Sequence, residues 1–329
     1  MSTATTQPSR VRRMAAGLLN FFVAPASPRP LAVLRIGVAA VLLAQAFALA
    51  NHVQELFGRN AVVTWSAMRS PDGRLGYHTG VPTIEVLAKF LAPFGATPEQ
   101  CTQGVFIVYV FSLACLLIGW RSHLFGVLAW ITHLSLCASS FMTIYGVDQF
   151  ANIFLFYLAF MPAGKALSVD NKSGRLSDEP TVTARIWLRV LQLHLCIAYV
   201  ASGIDKGSGE QWWNGEAIWR SVTLPELATF DMTWMASVPW LAMLLGFGTL
   251  FLEFCYPLIL LPKLRKPMAL GILSLHVGIA ICLGLISFSA LMFVFTFSAF
   301  MISGEPVRKT IAQRTAANAT DLTAAPAMG

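Results

Sequence analysis

The chain has 329 residues, of which 56% are hydrophobic and 12% are charged, and its mean hydropathy is +0.64. Because a soluble domain carries about 25% charged residues, this composition excludes an ordinary soluble protein and indicates an integral membrane protein. The net charge of +7 is explained by the basic cytoplasmic loops of membrane proteins, so it does not indicate nucleic-acid binding. The six cysteines form no C-x-x-C pair, so neither a disulfide framework nor a metal knuckle is predicted.

The first 30 residues have a basic start followed by a short apolar run at 18–23. This run is too short to cross about 30 Å of hydrocarbon, so we interpret it as an interfacial amphipathic helix on the cytoplasmic face. Longer apolar runs predict an all-α, polytopic membrane helix bundle of about eight spans, at 31–50, 103–120, 123–145, 149–163, 186–204, 236–262, 268–286 and 288–303. They form one transmembrane domain, 31–303, with outer loops at 51–102 and 205–235 and a helix near 83–92. The Ala/Thr-rich tail, 304–329, is expected to be disordered.

The distribution of basic residues predicts how the bundle is oriented. With a cytoplasmic N-terminus, the inner segments hold 15 of the 23 Lys and Arg residues and the outer segments hold six. The reverse orientation would put the basic turn at 263–266 outside, against the positive-inside rule. Eight spans with both termini in the cytoplasm therefore fit the charges, and both long loops then face the extracytoplasmic side.

Ionisable side chains inside the predicted spans are candidates for function, because inserting each near the centre of a span costs roughly 2.5–3.5 kcal/mol. They are Arg35, His133, Arg189, His194, Glu253 and His276. Glu253 has two interpretations. It is either a structural anchor paired with an arginine such as Arg35 or Arg189, or a carboxylate that carries protons or orients a cofactor.

The membrane histidines also have two interpretations. His276 lies in an otherwise apolar helix, where a lone histidine usually bonds a neighbouring helix, and His133 is interpreted as structural. His194 and His276 are alternatively site residues that position groups or relay protons beside Glu253. No pair among the three histidines and Glu253 has the i, i+4 spacing of a helical metal site, so no metal is predicted.

The stretch 199–215 is the strongest candidate for a site. An apolar helix is predicted to end at Ser202 and Gly203, with Lys206 just past its end and with Trp212 and Trp213 close behind. In one interpretation the lysine offsets the helix dipole or snorkels to water, and the tryptophans anchor the chain at the interface. In the other, an amine held neutral beneath the aromatic rings acts as a general base.

Asp148 lies where the fourth predicted span begins on the outer side. A carboxylate near a helix N-terminus interacts favourably with the free N–H groups, so we favour a capping role. Asp148 is also expected on the same face of the membrane as Lys206, which makes it a candidate wall of a pocket.

Several stretches occur in an order that is similar to a known family. They are 34–37 (Leu-Arg-Ile-Gly), 119–122 (Gly-Trp-Arg-Ser), 146–149 (Gly-Val-Asp-Gln), 160–164 (Phe-Met-Pro-Ala-Gly), 168–170 (Ser-Val-Asp), 199–203 (Tyr-Val-Ala-Ser-Gly) with Lys206, Trp212 or Trp213 and Gly215, then Glu253 before Tyr256 and Pro257, and His276. Over 31–303 the chain resembles the horizontally transferred transmembrane (HTTM) domain, the membrane part of vitamin K-dependent gamma-carboxylase.

The resemblance implies a site and a chemistry. In the carboxylase, the matching lysine is held to deprotonate reduced vitamin K; oxygen then forms an epoxide, and the strong base produced abstracts a glutamate proton before CO2 adds. Lys206 is by this resemblance the base, facing outward. The carboxylase also has a large C-terminal part that holds its peptide, whereas this chain ends soon after its last predicted span. We therefore do not expect it to carboxylate peptide glutamates.

The first functional hypothesis is a membrane enzyme, carboxylase-like (a lyase) or an epoxidase or oxygenase, acting on a small substrate. Its cofactor would be a vitamin K-like hydroquinone or other quinol that enters from the bilayer. The predicted catalytic residues are Lys206, His276, Glu253 and His194, and the predicted cofactor-binding residues are Tyr199, Ser202, Gly203, Trp212, Trp213 and Asp148. The expected location is the cell membrane, as in bacterial inner-membrane relatives, with the site on the extracytoplasmic side.

The second hypothesis is a non-catalytic maturation or partner protein. It would bind a secreted peptide or another membrane protein through the outer loops, and the absence of a dense catalytic cluster in the sequence favours it. A transporter is disfavoured, because transporters commonly contain internal repeats and this sequence shows none. The lipid bilayer is an expected partner in every case, and nucleic acid is not.

Overall fold

The structure is a computed structural model that describes residues 19–68, 82–140 and 144–304, together with Gly17. Most of the predicted N-terminal amphipathic segment and the predicted tail from 305 lie outside these residues, and so does the part of the first outer loop at 69–81. Of the predicted interfacial helix, residues 19–23 are described and are helical.

Within the described ranges the regular elements are helices, and an isolated antiparallel bridge joins Ala26 to Thr181. The prediction of an all-helical fold is therefore confirmed. The α-helices are, in chain order, α1 Arg29–Leu49, α2 Val53–Phe57, α3 Trp65–Met68, α4 Ile84–Leu91, α5 Pro98–Ile118, α6 Ser122–Ser139, α7 Gly146–Phe160, α8 Val169–Lys172, α9 Val182–Gly207, α10 Glu210–Trp213, α11 Glu216–Thr223, α12 Pro239–Phe254, α13 Arg265–Leu283 and α14 Ile286–Thr296. A 3-10 helix, Tyr256–Leu260, follows α12, and a π-helical turn, Phe297–Met301, continues α14.

Five of the described helices are long and apolar enough to cross a membrane, as a membrane protein requires. They are α1 with its continuation to Phe57, α5, α6, α9 and α13. Three shorter apolar helices accompany them, namely α7, α12 and α14 with its π-helical turn. Each of the predicted spans overlaps one of these helices, and the helix expected near 83–92 is α4.

Two predicted helix boundaries are wrong for identifiable reasons. The span predicted at 236–262 is interrupted, because α12 ends at Phe254 and Pro257 lacks the N–H that would continue α-helical bonding. The span predicted to end at 204 continues to Gly207. Lys206 therefore lies in the last turn of α9 rather than just past its end.

Short local signals set the two ends of α5. Gly119 closes α5 with φ of 75°, the left-handed conformation that glycine adopts without strain. At the other end of α5, Thr97 and Gln100 form a reciprocal capping box, which satisfies two N–H groups that have no partner inside the helix. The ends of α5 are therefore set by Thr97 and Gln100 at the N-terminus and by Gly119 at the C-terminus.

Arg35 ties the first helix to the ends of later elements. Its side chain is fully buried on α1 and donates hydrogen bonds to the backbone oxygens of Leu116, Leu117, Ala163 and Leu167. Two of these oxygens belong to the last turn of α5, whose carbonyls lack partners inside the helix. The partner of Arg35 is thus a set of carbonyls, which contradicts the interpretation that Arg35 pairs with Glu253.

The contact between α9 and α12 positions the candidate site. Gly203 of α9 lies against α12 so closely that a Cβ atom there would be 3.2 Å from the backbone nitrogen of Phe254. One turn earlier in α9, the Tyr199 ring stacks on Tyr256, with centroids 4.1 Å apart. Helix α13 lies beside both, and its His276 side chain reaches Tyr199.

Candidate functional site

The face of α9 that contacts α12 carries the residues predicted from the sequence motif. Apart from one adjacent pair, the site residues on this helix are three, four or seven positions apart, so they share one side of the helix. They are Tyr199, Ser202, Gly203 and Lys206. Tyr199 and Gly203 are buried, and Ser202 and Lys206 are half-buried. Three of the four side chains are polar, in a helix interface that is otherwise largely apolar.

Lys206 and Glu253 form an ion pair between α9 and α12. The lysine Nζ donates to Glu253 Oε1 at 2.8 Å and to Oε2 at 2.9 Å, and also to Ser202 Oγ at 2.5 Å. The Lys206 side chain is 24% exposed and the Glu253 side chain is 7% exposed. The amine is therefore bonded to side chains of two helices and remains partly exposed.

Glu253 takes neither of the arginine partners proposed for it. Arg189 donates to the backbone oxygen of Phe21 and to the side chain of Gln192, in the N-terminal half of α9. Glu253 pairs with Lys206 instead, which places the carboxylate beside the predicted base. Both interpretations of Glu253, the structural anchor and the proton carrier, therefore concern the same contact.

The two tryptophans after α9 have different surroundings. The Trp212 ring lies beneath the Lys206 Nζ at 5.5 Å from the ring centroid, within the range of a cation–π contact. Trp213 instead donates from Nε1 to the Gly207 backbone oxygen at 2.7 Å, and its ring meets Phe247 edge-on. Trp212 therefore packs against the amine, whereas Trp213 caps the C-terminal end of α9.

Tyr199 and His276 form a second polar pair on the same face of α9. The Tyr199 hydroxyl lies 2.7 Å from His276 Nε2, and both residues are buried. His276 Nδ1 is buried too, and it has no hydrogen-bond partner among the described residues. Because a buried polar atom without a partner costs free energy, this nitrogen is available to a ligand or a water molecule.

Tyr256 and Thr296 extend this polar row and were not among the predicted site residues. The Tyr256 hydroxyl is 3.0 Å from Thr296 Oγ1, and the Tyr256 ring stacks on Tyr199. The signal that could have identified Tyr256 is its place three residues after Glu253, next to Pro257, where the α-helix is broken. Thr296 gives no comparable signal in an apolar helix.

His194 is not near Lys206, although both are on α9. The two are 12 positions apart on one continuous helix, which is about 18 Å along its axis at 1.5 Å per residue. His194 Nδ1 instead lies 2.7 Å from the Tyr157 hydroxyl of α7. The structure thus places His194 in a separate contact and not with Lys206, Glu253 and His276.

Asp148 also belongs to a different cluster. Its Oδ2 accepts a hydrogen bond from the Tyr145 backbone N–H at 3.1 Å, as the capping interpretation of this residue predicts. Its Oδ1 lies 3.6 Å from His133 Nε2 and 3.4 Å from Gln45 Nε2. The contacts of Asp148 are with α1 and α6, so they do not make it a wall of the Lys206 site.

The arrangement at Lys206 has a definite proton-transfer capacity. An ammonium paired with a carboxylate has no lone pair, so in this contact the carboxylate is the proton acceptor. If the shared proton moves to Glu253, the amine becomes the acceptor. The contact with Ser202 and Glu253 fulfils the expectation that the amine lies within hydrogen-bond reach of another polar side chain. An outward-opening pocket above it stays a prediction.

Comparison with known proteins adds no family assignment to this geometry. No protein-family model, no curated protein and no solved structure matches the chain. The resemblance to the HTTM domain therefore rests on the ordered motifs in the sequence.

Proposed function

We propose that the chain is an HTTM-type integral membrane protein whose eight apolar helices all cross the membrane, with both termini in the cytoplasm. Three of these helices are too short to cross the bilayer alone when perpendicular to it. In this proposal they are stabilised in the membrane by packing against their longer neighbours. The excess of basic residues at the proposed inner ends favours this orientation. Lys206 then lies at the extracytoplasmic end of α9, in the bacterial inner membrane.

We propose further that the protein is an enzyme that removes a proton from a quinol-type compound at the Lys206–Glu253 pair. The single observation that carries this proposal is the pair itself, in which an amine at the mouth of an apolar helix bonds a buried carboxylate. Exposed lysines with such a partner are common, but a carboxylate inside an apolar helix is costly and implies a purpose. A lipid-soluble hydroquinone would supply an acidic hydroxyl group and the capacity to react with oxygen.

The pair can accept the proton by two routes that end in the same state. Glu253 can take it directly while Lys206 remains an ammonium, or Lys206 can take it after giving its own proton to Glu253. In both cases the final state has a charged Lys206 and a protonated Glu253. The ammonium then lies beside the oxygen that has lost its proton and stabilises the negative charge there.

The Tyr199–His276 pair would orient the rest of the compound. His276 Nδ1 is buried without a partner among the described residues, so it can bond a second polar group of the ligand. The stacked rings of Tyr199 and Tyr256 form an aromatic wall at the same interface. The Trp212 ring packs against the amine and would limit access of water on that side.

The test combines ligand identification with two substitutions of Lys206. The purified protein is extracted with organic solvent and the extract is analysed for quinones, and the protein in proteoliposomes is supplied with a naphthohydroquinone and assayed for hydroquinone-dependent oxygen consumption. We expect Lys206→Ala to reduce this activity by at least 100-fold, because general base catalysis contributes about that factor or more. Lys206→Arg separates the two routes, because a guanidinium keeps its proton: activity is lost in this variant if Lys206 is the proton acceptor and retained if Glu253 accepts the proton directly.

Lys89→Ala is the matched control. Lys89 is an exposed lysine of the outer loop that pairs with Glu85 in α4, so its loss removes the same charge without touching the site. Oxygen consumption that persists in both Lys206 variants would contradict the role of the lysine. A protein that contains no quinone and consumes no oxygen with added hydroquinone would contradict the enzyme proposal as a whole.

A non-catalytic partner protein is the second candidate, and one observation favours it. Large apolar side chains are exposed on the first outer loop, where Val62 is 77%, Phe90 is 71% and Phe94 is 81% exposed. Such a patch can bind another protein or the bilayer surface. If the protein is such a partner, replacing Phe90 and Phe94 together by Ser should abolish co-purification of the bound protein, whereas the Lys206 variants should retain it.

A further inference from the structure

A buried cluster of ligand-type side chains lies between α6 and α7, away from the Lys206 site. His133 and Cys137 are one turn apart on α6, so they share a face, and Asp148 projects from the first turn of α7. The three residues are 4%, 5% and 6% exposed. One ligand atom from each lies within 4.8 Å of the other two.

Asn152 fixes the orientation of the His133 ring. Its side-chain oxygen lies 2.8 Å from His133 Nδ1, and because this oxygen can only accept, Nδ1 carries the proton. The Asn152 amide nitrogen lies 3.9 Å from Cys137 Sγ, toward which it donates. In a neutral imidazole the lone pair is then at Nε2, and one amide contacts both the histidine and the cysteine.

The distance between His133 Nε2 and Asp148 Oδ1 is unusual for a direct contact. At 3.6 Å it is too long for a hydrogen bond. With Zn–N and Zn–O distances of about 2.0–2.2 Å and Zn–S of about 2.3 Å, two ligands of a tetrahedral ion lie about 3.3–3.8 Å apart. Cys137 Sγ is 4.0 Å from the same Nε2, a few tenths of an ångström beyond this spacing.

The surroundings suit an ion and a fourth ligand. A cavity of about 30 Å³ adjoins the cluster and is lined by Gln45, Tyr109, His133, Cys137 and Asp148, among others. This volume is enough for a water molecule but not for an organic substrate. Gln45 Oε1 is buried and has no hydrogen-bond partner among the described residues, so it can bond the ion or its water.

We propose that His133 Nε2, Cys137 Sγ and Asp148 Oδ1 are ligands of a buried divalent transition-metal ion of the Zn²⁺ class, with Asn152 as a positioning residue. Nitrogen and sulfur donors exclude Mg²⁺ and Ca²⁺, which take oxygen ligands. A thiolate and a carboxylate together balance the two positive charges of the ion, so no net charge is buried. The ion fastens α6 to α7, and the proposal is independent of the function of Lys206.

The test measures metal content and the coordination of a spectroscopic probe. The full-length protein is purified in detergent, its metals are measured by mass spectrometry, and a chelator-treated sample is titrated with Co²⁺. We expect stoichiometric zinc, and on Co²⁺ addition a thiolate-to-cobalt charge-transfer band that Zn²⁺ abolishes. Cys137→Ser and His133→Ala should remove both signals, and Asn152→Ala should weaken affinity by about 10–100-fold, as loss of a partner that orients a ligand does.

Two controls separate this site from general damage to the protein. Cys115→Ser removes another buried cysteine, and His123→Gln removes another histidine of α6, and both should retain the metal and the charge-transfer band. If the cluster variants do not fold, the wild-type titration still decides the matter. Well-folded wild-type protein without stoichiometric metal and without the cobalt band would overturn the proposal, leaving an ion pair between His133 and Asp148. Metal that persists in Cys137→Ser and His133→Ala would also overturn it.

Discussion

Lys206 and Glu253 place an ion pair at the C-terminal end of the otherwise largely apolar helix α9. The carboxylate is the deeper of the two, with its side chain 7% exposed against 24% for the lysine. Two groups of opposite charge at 2.8 Å compensate each other, but neither is stable there alone. The pair therefore links stability and chemistry at one position.

Separate removal of the two partners should have unequal effects on stability. We expect Lys206→Gln to lower the free energy of unfolding more than Glu253→Gln. Lys206→Gln leaves the Glu253 carboxylate, the more buried charge, without a partner, whereas Glu253→Gln leaves the more exposed Lys206 ammonium without one. Breaking a buried pair costs roughly 3–5 kcal/mol, and partial exposure of the lysine puts the expected loss at the low end of that range. Unfolding in mixed detergent micelles with increasing dodecyl sulfate measures the losses.

The double variant Lys206→Gln with Glu253→Gln is the decisive comparison. It leaves two neutral amides that can bond each other, so its stability should recover most of the loss seen in Lys206→Gln. If the double variant is as unstable as the sum of the single variants, the two side chains are not coupled and the ion pair does not form.

The motif around Lys206 is visible in the sequence, but its partner is not. A lysine near glycines and tryptophans at the end of an apolar helix stands out by composition alone. Its pairing with Glu253, 47 positions away, depends on which faces of two apolar helices meet, and nearly uniform apolarity hides those faces. Conversely, His194 was predicted as a site residue with Lys206 although it lies 12 positions earlier in the chain. Because both residues belong to the continuous helix α9, the distance along its axis separates them.

At the scale of helices, the close approach of α9 and α12 depends on one glycine. A Cβ atom at Gly203 would lie 3.2 Å from the Phe254 backbone nitrogen and 3.3 Å from Glu253 Cβ. A main-chain atom cannot turn aside as a flexible side chain can. Any side chain at 203 therefore pushes the helices apart at the level of the ion pair.

A pair of glycine-to-alanine changes tests this contact. Gly203→Ala should lower stability by about 1–3 kcal/mol, the usual cost of overpacking, and should reduce activity along with it. Gly248→Ala in α12 is the matched control, because nothing lies within 4 Å of its Cβ position. Alanine there should be neutral or stabilise the helix by up to about 1 kcal/mol. Equal effects of the two changes on unfolding would contradict the close-contact explanation.

Helix positions were well predicted and helix ends less so. Long apolar runs can only be helices in a membrane, because every backbone group must be bonded within the segment. The ends depend on local chemistry that hydrophobicity does not capture, such as the break at Pro257 and the extension of α9. The cluster at His133 was missed because cysteine was not included in the search for i, i+4 pairs, although His133 and Cys137 have that spacing.

At the scale of the whole molecule, the orientation in the membrane can be tested with two single cysteines. Ser208, after α9, and Lys263, before α13, are both exposed, and the proposed topology puts them on opposite sides. In a variant without the native cysteines, Ser208→Cys should react with a membrane-impermeant maleimide in intact spheroplasts. Lys263→Cys should react only after permeabilisation. The opposite pattern would reverse the orientation and put Lys206 on the cytoplasmic side.

Arg35 has a consequence for the order in which the protein is made. Its acceptors at Leu116 and Leu167 come 81 and 132 positions later in the chain, so they do not exist when α1 leaves the ribosome. At synthesis rates of about 5–20 residues per second, the guanidinium waits roughly 7–26 s for its last acceptor. During that interval its insertion cost is not offset. In the proposed topology, we therefore expect the first helix to be retained at the translocon, or to lie shallow in the bilayer, until the segments that bind Arg35 have been synthesised.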